Sequence, residues 1–345
     1  MTVLNKLKGL QGRSFLKEVD FTPAQLEALI EFASQLKQEK QQHGRVPQYL
    51  HDKSLILLFQ KTSTRTRLSF ELGGAEMGAH VAYIDPTSSQ FGTKESIEDS
   101  GRVFGELADG IEYRGFAQQD LETLATAAQV PVWNGLSNEW HPTQMIADFL
   151  TIKENFGHLR GINLAYVGDG RNNVANSLLV TGSMLGVNVH IVAPPALQPS
   201  AAVQQKAQTL AQQSGARPLV TADIEKGVRA ANVIYTDVWV SMGEHNWQAR
   251  IDLLRPYQVN SALLEKTKTP TDQLIFMHCL PAFHDGNTTT AAQVASQCHG
   301  LDGPALEVTD TVFRSKYARQ FQEAGNRKPA IMAIMAATLG DLTLF

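Results

Sequence analysis

Short apolar runs alternate with longer stretches of helical period along the chain. SLILLF at 54–59, HVAYI at 80–84, IEYRG at 111–115 and VPVWN at 130–134 have the length of strands, with helical patterns around them. Such alternation predicts a parallel sheet covered by helices. Ahead of it, Thr22-Pro23 reads as an N-cap and first-turn proline, and Leu26, Leu29, Ile30, Ala33 and Leu36 repeat at helical spacing. Pro142 to Phe156 predicts one long helix with Met145, Ile146, Phe149 and Ile152 on its apolar face, ended by Gly157 and Gly161. A second alternating series follows: NLAYVGDG at 163–170, VNVHIVAP at 187–194, NVIYTDVW at 232–239 and QLIFMHCL at 273–280. The pattern therefore predicts an α/β protein of two doubly wound parallel-sheet domains with a cleft between them.

Length and charge narrow the function classes. A chain of 345 residues suits two domains and excludes a peptide hormone or a small binding module. Lys plus Arg is 30 against Asp plus Glu 34, a net charge of -4 with no basic block, so nucleic acid is not an expected partner. Two cysteines, Cys279 and Cys298, cannot build a disulfide framework, and the first residues show no apolar stretch of signal-peptide length. A cytoplasmic protein with no membrane span is expected. Charged residues are 19%, below the roughly 25% of an average soluble chain, which suggests surface covered in an oligomer.

The strand ends carry the candidate chemistry, because open α/β sheets bind ligands beyond the carboxyl ends of their strands. After Phe59 comes KTSTRTRLSFE, with Ser63, Thr64, Arg65, Thr66 and Arg67 where the chain turns into a helix. Backbone N–H groups of a helix start, hydroxyls and two guanidiniums suit phosphate oxygens, and an ordinary capping turn needs fewer donors. The run lacks the glycine-lysine pattern of a nucleotide P-loop. Arg114 ends another strand and His141 opens HPTQ, with Gln144 one turn on. An Arg and a neutral His suit a developing carbonyl oxyanion, although each alone also serves a structural role, His141 as a helix cap.

In the second series, VGDGRNNVANS imitates a dinucleotide fingerprint, but Asn173 replaces the third glycine and the next strand ends without the acid that holds a ribose. Asn173 either presents an amide to a zwitterionic ligand or caps a helix. Asp237, opening DVWVSMGE, suits an ammonium group or belongs to a polar loop with no ligand. HCLPAFHD places Cys279 and the Leu280 backbone at a strand end, with Pro281 stopping regular continuation. Cys279, His278, His284, Cys298 and His299 invite a zinc site or a thiol nucleophile, yet their spacing is that of neither. A thiol that packs or orients a ligand is favoured, and no metal is expected.

Taken in order, STRTR, HPTQ, DVWVSMG and HCLP resemble the aspartate/ornithine carbamoyltransferase family over nearly the whole chain, and SMG with HCLPAFHD resembles its ornithine branch of bacterial type. The resemblance implies transfer of the carbamoyl group of carbamoyl phosphate to the side-chain amine of L-ornithine, giving L-citrulline and phosphate, or the reverse in arginine catabolism. Direct attack without a covalent enzyme intermediate, metal or cofactor is implied. So is binding of carbamoyl phosphate by Ser63, Thr64, Arg65, Thr66, Arg67, Arg114, His141, Gln144, Cys279, Leu280 and Arg327, with Gln90 serving a neighbouring subunit. Asn173, Asp237, Ser241 and Met242 match ornithine-binding positions, and Arg114, His141, Asp237 and Cys279 match catalytic ones. The implied organisation is a carbamoyl phosphate-binding domain over 1–148, an ornithine-binding domain over 149–318, and a C-terminal helix over 319–345 returning to the first, in a homo-oligomer that is a trimer or a multiple of trimers.

Two departures bear on this. Where the family reads an acidic residue, Asn-Arg and then Met-His, this chain reads Gly325-Asn326-Arg327-Lys328-Pro329-Ala330, which predicts a loosened or shifted start of the last helix and weaker carbamoyl phosphate binding. Gln60 stands where Glu is usual. The rival readings are a sister enzyme for putrescine or an acylated ornithine, which the SMG loop argues against, and a catalytically silent carbamoyl phosphate-binding paralogue. The segments NEWHPTQMIADFLTIKENFG and FRSKYARQF resemble fermentative bacterial enzymes of arginine breakdown.

Overall fold

The computed structural model describes residues 3–87, 89–240, 247–297 and 303–344. The chain divides into two units, one of Met1–Thr151 with Ala324–Phe345 and one of Ile152–Glu323. No helix among the described residues is long and apolar enough to cross a membrane.

The first unit holds strands β1 (Ser54–Phe59), β2 (His80–Ile84), β3 (Gly110–Arg114) and β4 (Val132–Leu136) in the order β2-β1-β3-β4, every pair parallel. Its helices are α1 (Val3–Leu7), α2 (Pro23–His43), α3 (Thr64–Glu76), α4 (Ile97–Leu107), α5 (Gln118–Ala128) and the first part of α6 (Pro142–Phe156). The predicted cap of α2 is present as a full capping box, Thr22 accepting from the Gln25 N–H while the Gln25 side chain accepts from Thr22. The interior run SLILLF is buried, with Leu57, Leu58 and Phe59 0% exposed, whereas HVAYI on the edge strand β2 is half-buried to exposed. Two runs are displaced from their predictions: IEYRG reads 111–115 but β3 spans Gly110–Arg114, and VPVWN reads 130–134 but β4 begins at Val132 and continues through Leu136.

The second unit has strands β5 (Asn163–Val167), β6 (Asn188–Val192), β7 (Leu219–Thr221), β8 (Val233–Thr236) and β9 (Ile275–His278) in the parallel order β7-β6-β5-β8-β9. Around them run α7 (Asn173–Leu185), α8 (Ala201–Ser214), α9 (Ile224–Val228), α10 (Trp247–Leu254), α11 (Ser261–Lys266), α12 (Thr289–Gln297) and α13 (Asp310–Phe313). The edge strand β7 is absent from the pattern reading because three half-buried residues give no period to detect. Ala165, Val167, Ile234, Phe276, Val259 and Val308 pack together in this unit's core.

The last helix, α14 (Gln320–Leu339), corrects the expectation of a shifted helix start. It runs unbroken through Pro329 and begins five residues before Gly325, so Arg327 lies inside it. A proline ring strains against the carbonyl of residue i−4, which here is Gly325. Gly325 faces open space, where even a Cβ would meet nothing within 4 Å, so that side of the helix is uncrowded. Further bonds fix the C-terminal part of α14 in the first unit: Asn326 donates to Thr151 at 2.9 Å, Lys37 donates to Asn326 at 2.7 Å, and Trp133 Nε1 donates to Thr338 at 2.9 Å.

Candidate active site

Each sheet reverses its strand order at one point, and the polar residues gather there. In the first unit the reversal falls at β1 and β3, whose ends lie side by side with Phe59 paired to Arg114. Beyond β1, Ser63 caps α3, its hydroxyl accepting from the Thr66 N–H at 3.3 Å. That cap turns Thr66 inward, where it is 1% exposed. Its Oγ1 accepts from Arg327 Nη2 at 3.0 Å and from Arg114 Nη1 at 3.4 Å. Arg114 Nη1 also donates to the Gly135 carbonyl at 3.3 Å. Arg327 Nη1 reaches His141 Nε2 at 3.2 Å and donates to Gln144 Oε1, while Gln144 Nε2 donates to buried Asp148 at 2.7 Å.

This cluster is cationic and dry. Arg327 is 2% and His141 4% exposed. Burial, and then the charges of Arg327 and Arg114, hold the His141 pKa well below the ordinary 6.5, so the imidazole is neutral. A guanidinium N–H only donates, so His141 Nε2 accepts and the proton sits on Nδ1. Lys61 is pushed down by burial and by Arg114. Helix start, the buried Arg327 and half-buried Arg114 guanidiniums and a neutral imidazole together suit an oxyanion.

Other residues predicted for this half lie differently. Ser63 and Arg65 are half-buried and Thr64 is exposed at the first turn of α3. Arg67 donates to Glu71 at 3.0 Å and lies over the Tyr83 ring at 3.7 Å, away from Thr66. Gln90 sits exposed in a turn, its carbonyl accepting from the N–H groups of Thr93, Lys94 and Glu95. Gln60 accepts from the Tyr113 hydroxyl at 2.6 Å, a neutral bond that the amide makes without adding charge.

In the second unit the order reverses at β5 and β8. Asn172 follows β5 and caps α7, accepting from the Ala175 N–H at 2.7 Å, and its amide donates to Tyr166 Oη at 2.6 Å and to Asp237 Oδ2 at 3.1 Å. Asp237 follows β8 and its Oδ1 accepts from the Val238 N–H at 2.8 Å and from the Cys279 thiol at 3.2 Å. Burial is the largest influence on Asp237 and raises its pKa; His278 and the Cys279 bond pull the other way. Cys279 lies half-buried just past the end of β9. Leu280 has φ 57, and its N–H donates to His278 Nδ1 at 2.9 Å. Asp237, His278 and Cys279 each offer one ligand atom within 4.8 Å of the others, but each of these groups already takes part in the hydrogen bonds just described. Ser241, Met242, Cys298 and His299 lie outside the described residues.

The sequence reading named Asn173, which opens α7 half-buried, and passed over Asn172, which holds Asp237. Two adjacent asparagines at a helix start carry the same capping signal, so the pattern does not separate them. Asp148 and Glu112 were also passed over, although a charged residue inside an otherwise apolar strand, as in IEYRG, is a readable signal.

Comparison with known proteins agrees with this division of labour. Residues 13–154 match the carbamoyl-P binding domain of aspartate/ornithine carbamoyltransferases, and residues 160–338 match the Asp/Orn binding domain of the same proteins. The catabolic ornithine carbamoyltransferase of Lactococcus lactis subsp. lactis is 57% identical over 334 residues, covering 96% of this chain and 93% of that protein. The catabolic ornithine carbamoyltransferase of Enterococcus faecalis is 56% identical over 333 residues, 96% of this chain and 97% of its own. Among solved structures, ornithine carbamoyltransferase from Pyrococcus furiosus superposes with a TM-score of 0.86 at 38% identity, covering 96% of this chain and 98% of its own. Domain matches over both halves and relatives this similar at full length establish that the chain belongs to the aspartate/ornithine carbamoyltransferase family.

Proposed function

We propose that this protein is an ornithine carbamoyltransferase, moving the carbamoyl group between carbamoyl phosphate and the side-chain amine of L-ornithine to interconvert them with L-citrulline and phosphate. The observation that carries the site assignment is the cluster of buried Thr66, His141, Gln144 and Arg327 with half-buried Arg114, a neutral imidazole among guanidiniums at a helix start. The phosphate is held by the first turn of α3, with Ser63, Thr64, Arg65, Thr66 and Arg67, and by Arg327. As the amine adds to the carbamoyl carbon, Arg114, Thr66 and His141 donate to the oxygen that gains charge, and phosphate leaves toward the arginines. His141 reaches the transition state as a donor only by turning an N–H toward it, so substrate replaces part of its bond with Arg327.

Ornithine is read onto the second unit. Its amine, with a pKa near the roughly 10.4 of lysine, must lose a proton before attack. Asp237, raised by burial and held by Asn172, Val238 and Cys279, orients that amine, with the Cys279 thiol as a positioning neighbour rather than a nucleophile. Asn173, Ser241 and Met242 are assigned to the amino-acid end, and Leu280 to both substrates. The reading includes a homo-oligomer, a trimer or a multiple, in which Gln90 serves a neighbour; Leu68 and Leu72, 46% and 49% exposed on α3, support a covered surface. The reading also includes a cytoplasmic location.

Citrulline formation from ornithine and carbamoyl phosphate tests the reading, with putrescine and an acylated ornithine as parallel substrates. Product with ornithine alone is expected. Preference for either other amine, or no product at saturating substrates, sinks it.

A further inference from the structure

Glu112 is a charge where the fold should tolerate none. It sits in β3, flanked by β1 and β4, pairs with Leu57 and Trp133, and is 0% exposed. Interior strands of a parallel sheet read as continuous apolar runs, so a carboxyl here breaks the pattern of its own strand. Neither carboxyl oxygen has a hydrogen-bond partner. Room for it is built in. Gly135 is skipped in the β3–β4 register, where Tyr113 pairs with Asn134 but Arg114 with Leu136. A Cβ on Gly135 would fall 1.8 Å from Glu112 Oε1 and 3.2 Å from Thr66 Cγ2. Glu112 and Arg114 are two apart on one strand and share a face. The carboxyl thus lies in the same knot as the Gly135 carbonyl and Thr66 hydroxyl that hold Arg114 and Arg327.

We propose that Glu112 is a positioning residue of the anion site: the fraction of it that is ionised balances the charge of Arg114 and Arg327 before the anion binds, and that fraction takes up a proton when a phosphate dianion assumes the role. The proposal rests on reading Thr66, Arg114 and Arg327 as the carbamoyl phosphate site. The charged or titratable groups around the carboxyl are Arg114 on its own strand, Arg327 from α14 and, through Arg327, His141 ahead of α6; Thr66 of α3 and Gly135 of β4 bring none. Two opposing influences meet at this carboxyl: burial is the larger, favours the neutral acid and holds its pKa well above the ordinary carboxylate value, while the two guanidiniums limit that rise by favouring the anion. A bound dianion neutralises the guanidiniums and adds its own repulsion, so the balance moves to the acid. The proton comes from solvent, and the only bond formed is O–H on Glu112. Because the complex holds more protons than the free protein, carbamoyl phosphate affinity falls as pH rises.

Calorimetric titration with carbamoyl phosphate at about pH 8, roughly two units above the second ionisation of a phosphate monoester, counts the protons in buffers of different ionisation enthalpy. The wild-type protein is expected to take up a fraction of a proton, Glu112→Gln none, and Glu112→Asp to restore uptake, with the pH dependence of affinity flattened only in Glu112→Gln. No uptake by the wild type, or unchanged uptake in Glu112→Gln, overturns the proposal. If Glu112→Gln does not fold, the wild-type count and Glu112→Asp decide it. A wild type that makes citrulline without proton uptake removes this inference alone, and one that takes up the proton but makes no citrulline removes the assigned reaction alone.

Discussion

Arg327 Nη2 donates to Thr66 Oγ1 across 3.0 Å, joining two residues 261 positions apart in the chain. The same oxygen accepts from Arg114 at 3.4 Å, so one hydroxyl with two lone pairs fixes two guanidiniums.

Thr66→Val keeps the shape and removes that acceptor. A loss of about 1–3 kcal/mol in unfolding free energy is expected, with a raised KM for carbamoyl phosphate and an unchanged KM for ornithine. Thr66→Ser should recover most of both. Denaturant titration and steady-state kinetics read the two effects, and a carbamoyl phosphate KM equal to wild type in Thr66→Val would remove Thr66 from the site.

His141 predicts an acid limit to stability. The unfolded chain binds a proton near the ordinary 6.5, whereas the folded imidazole resists it to well below that value. Between those values the unfolded state holds more protons, so stability is lost as pH falls, by up to about 1.4 kcal/mol per pH unit for this group. Urea midpoints measured downward from neutral pH should fall more steeply in wild type than in His141→Gln. Equal slopes would show that the imidazole is not held neutral.

Asn172→Ala should remove both a helix cap and a partner of Asp237, lowering stability by about 1 kcal/mol and raising the KM for ornithine. Asn172→Asp keeps the cap but sets a second carboxylate against Asp237, so it should restore stability while worsening ornithine binding. A variant pair with identical ornithine KM would break the link between Asn172 and the amine site.

Cys279→Ser retains a donor to Asp237 and should keep measurable turnover if the thiol positions the amine. Rapid-mix mass spectrometry of the wild type should find no carbamoylated Cys279. Trapping that adduct, together with complete loss of activity in Cys279→Ser, would make the thiol a nucleophile.

Much of the architecture was legible because buried parallel strands announce themselves as apolar runs: SLILLF is β1 residue for residue, and Thr22-Pro23 begins its helix where capping chemistry requires. β7 escaped because an edge strand of three half-buried residues has no period. Arg114, His141 and Gln144 were nameable from type and position and Arg327 from the family resemblance, but their mutual bonds were not, since these span separations of 183 to 186 residues between Arg327 and its HPTQ partners. Gly325 and Pro329 misled because each is in general a helix breaker, whereas here both lie inside α14, which runs from Gln320 to Leu339. Glu112 was visible as a letter and silent as a role until Gly135 and the arginines stood beside it.

The C-terminal segment that supplies Arg327 belongs to the unit built from the beginning of the chain. Synthesis therefore delivers the second unit, Ile152–Glu323, as a continuous stretch before the first can be finished. Trp133 waits for Thr338, Gly12 for the Thr338 carbonyl, and Thr66 for its guanidinium. Domains ordinarily fold as they leave the ribosome, amino end first. Here the amino-terminal unit needs a segment that follows the whole second unit, so Thr66 meets Arg327 only after Ile152–Glu323 has been translated.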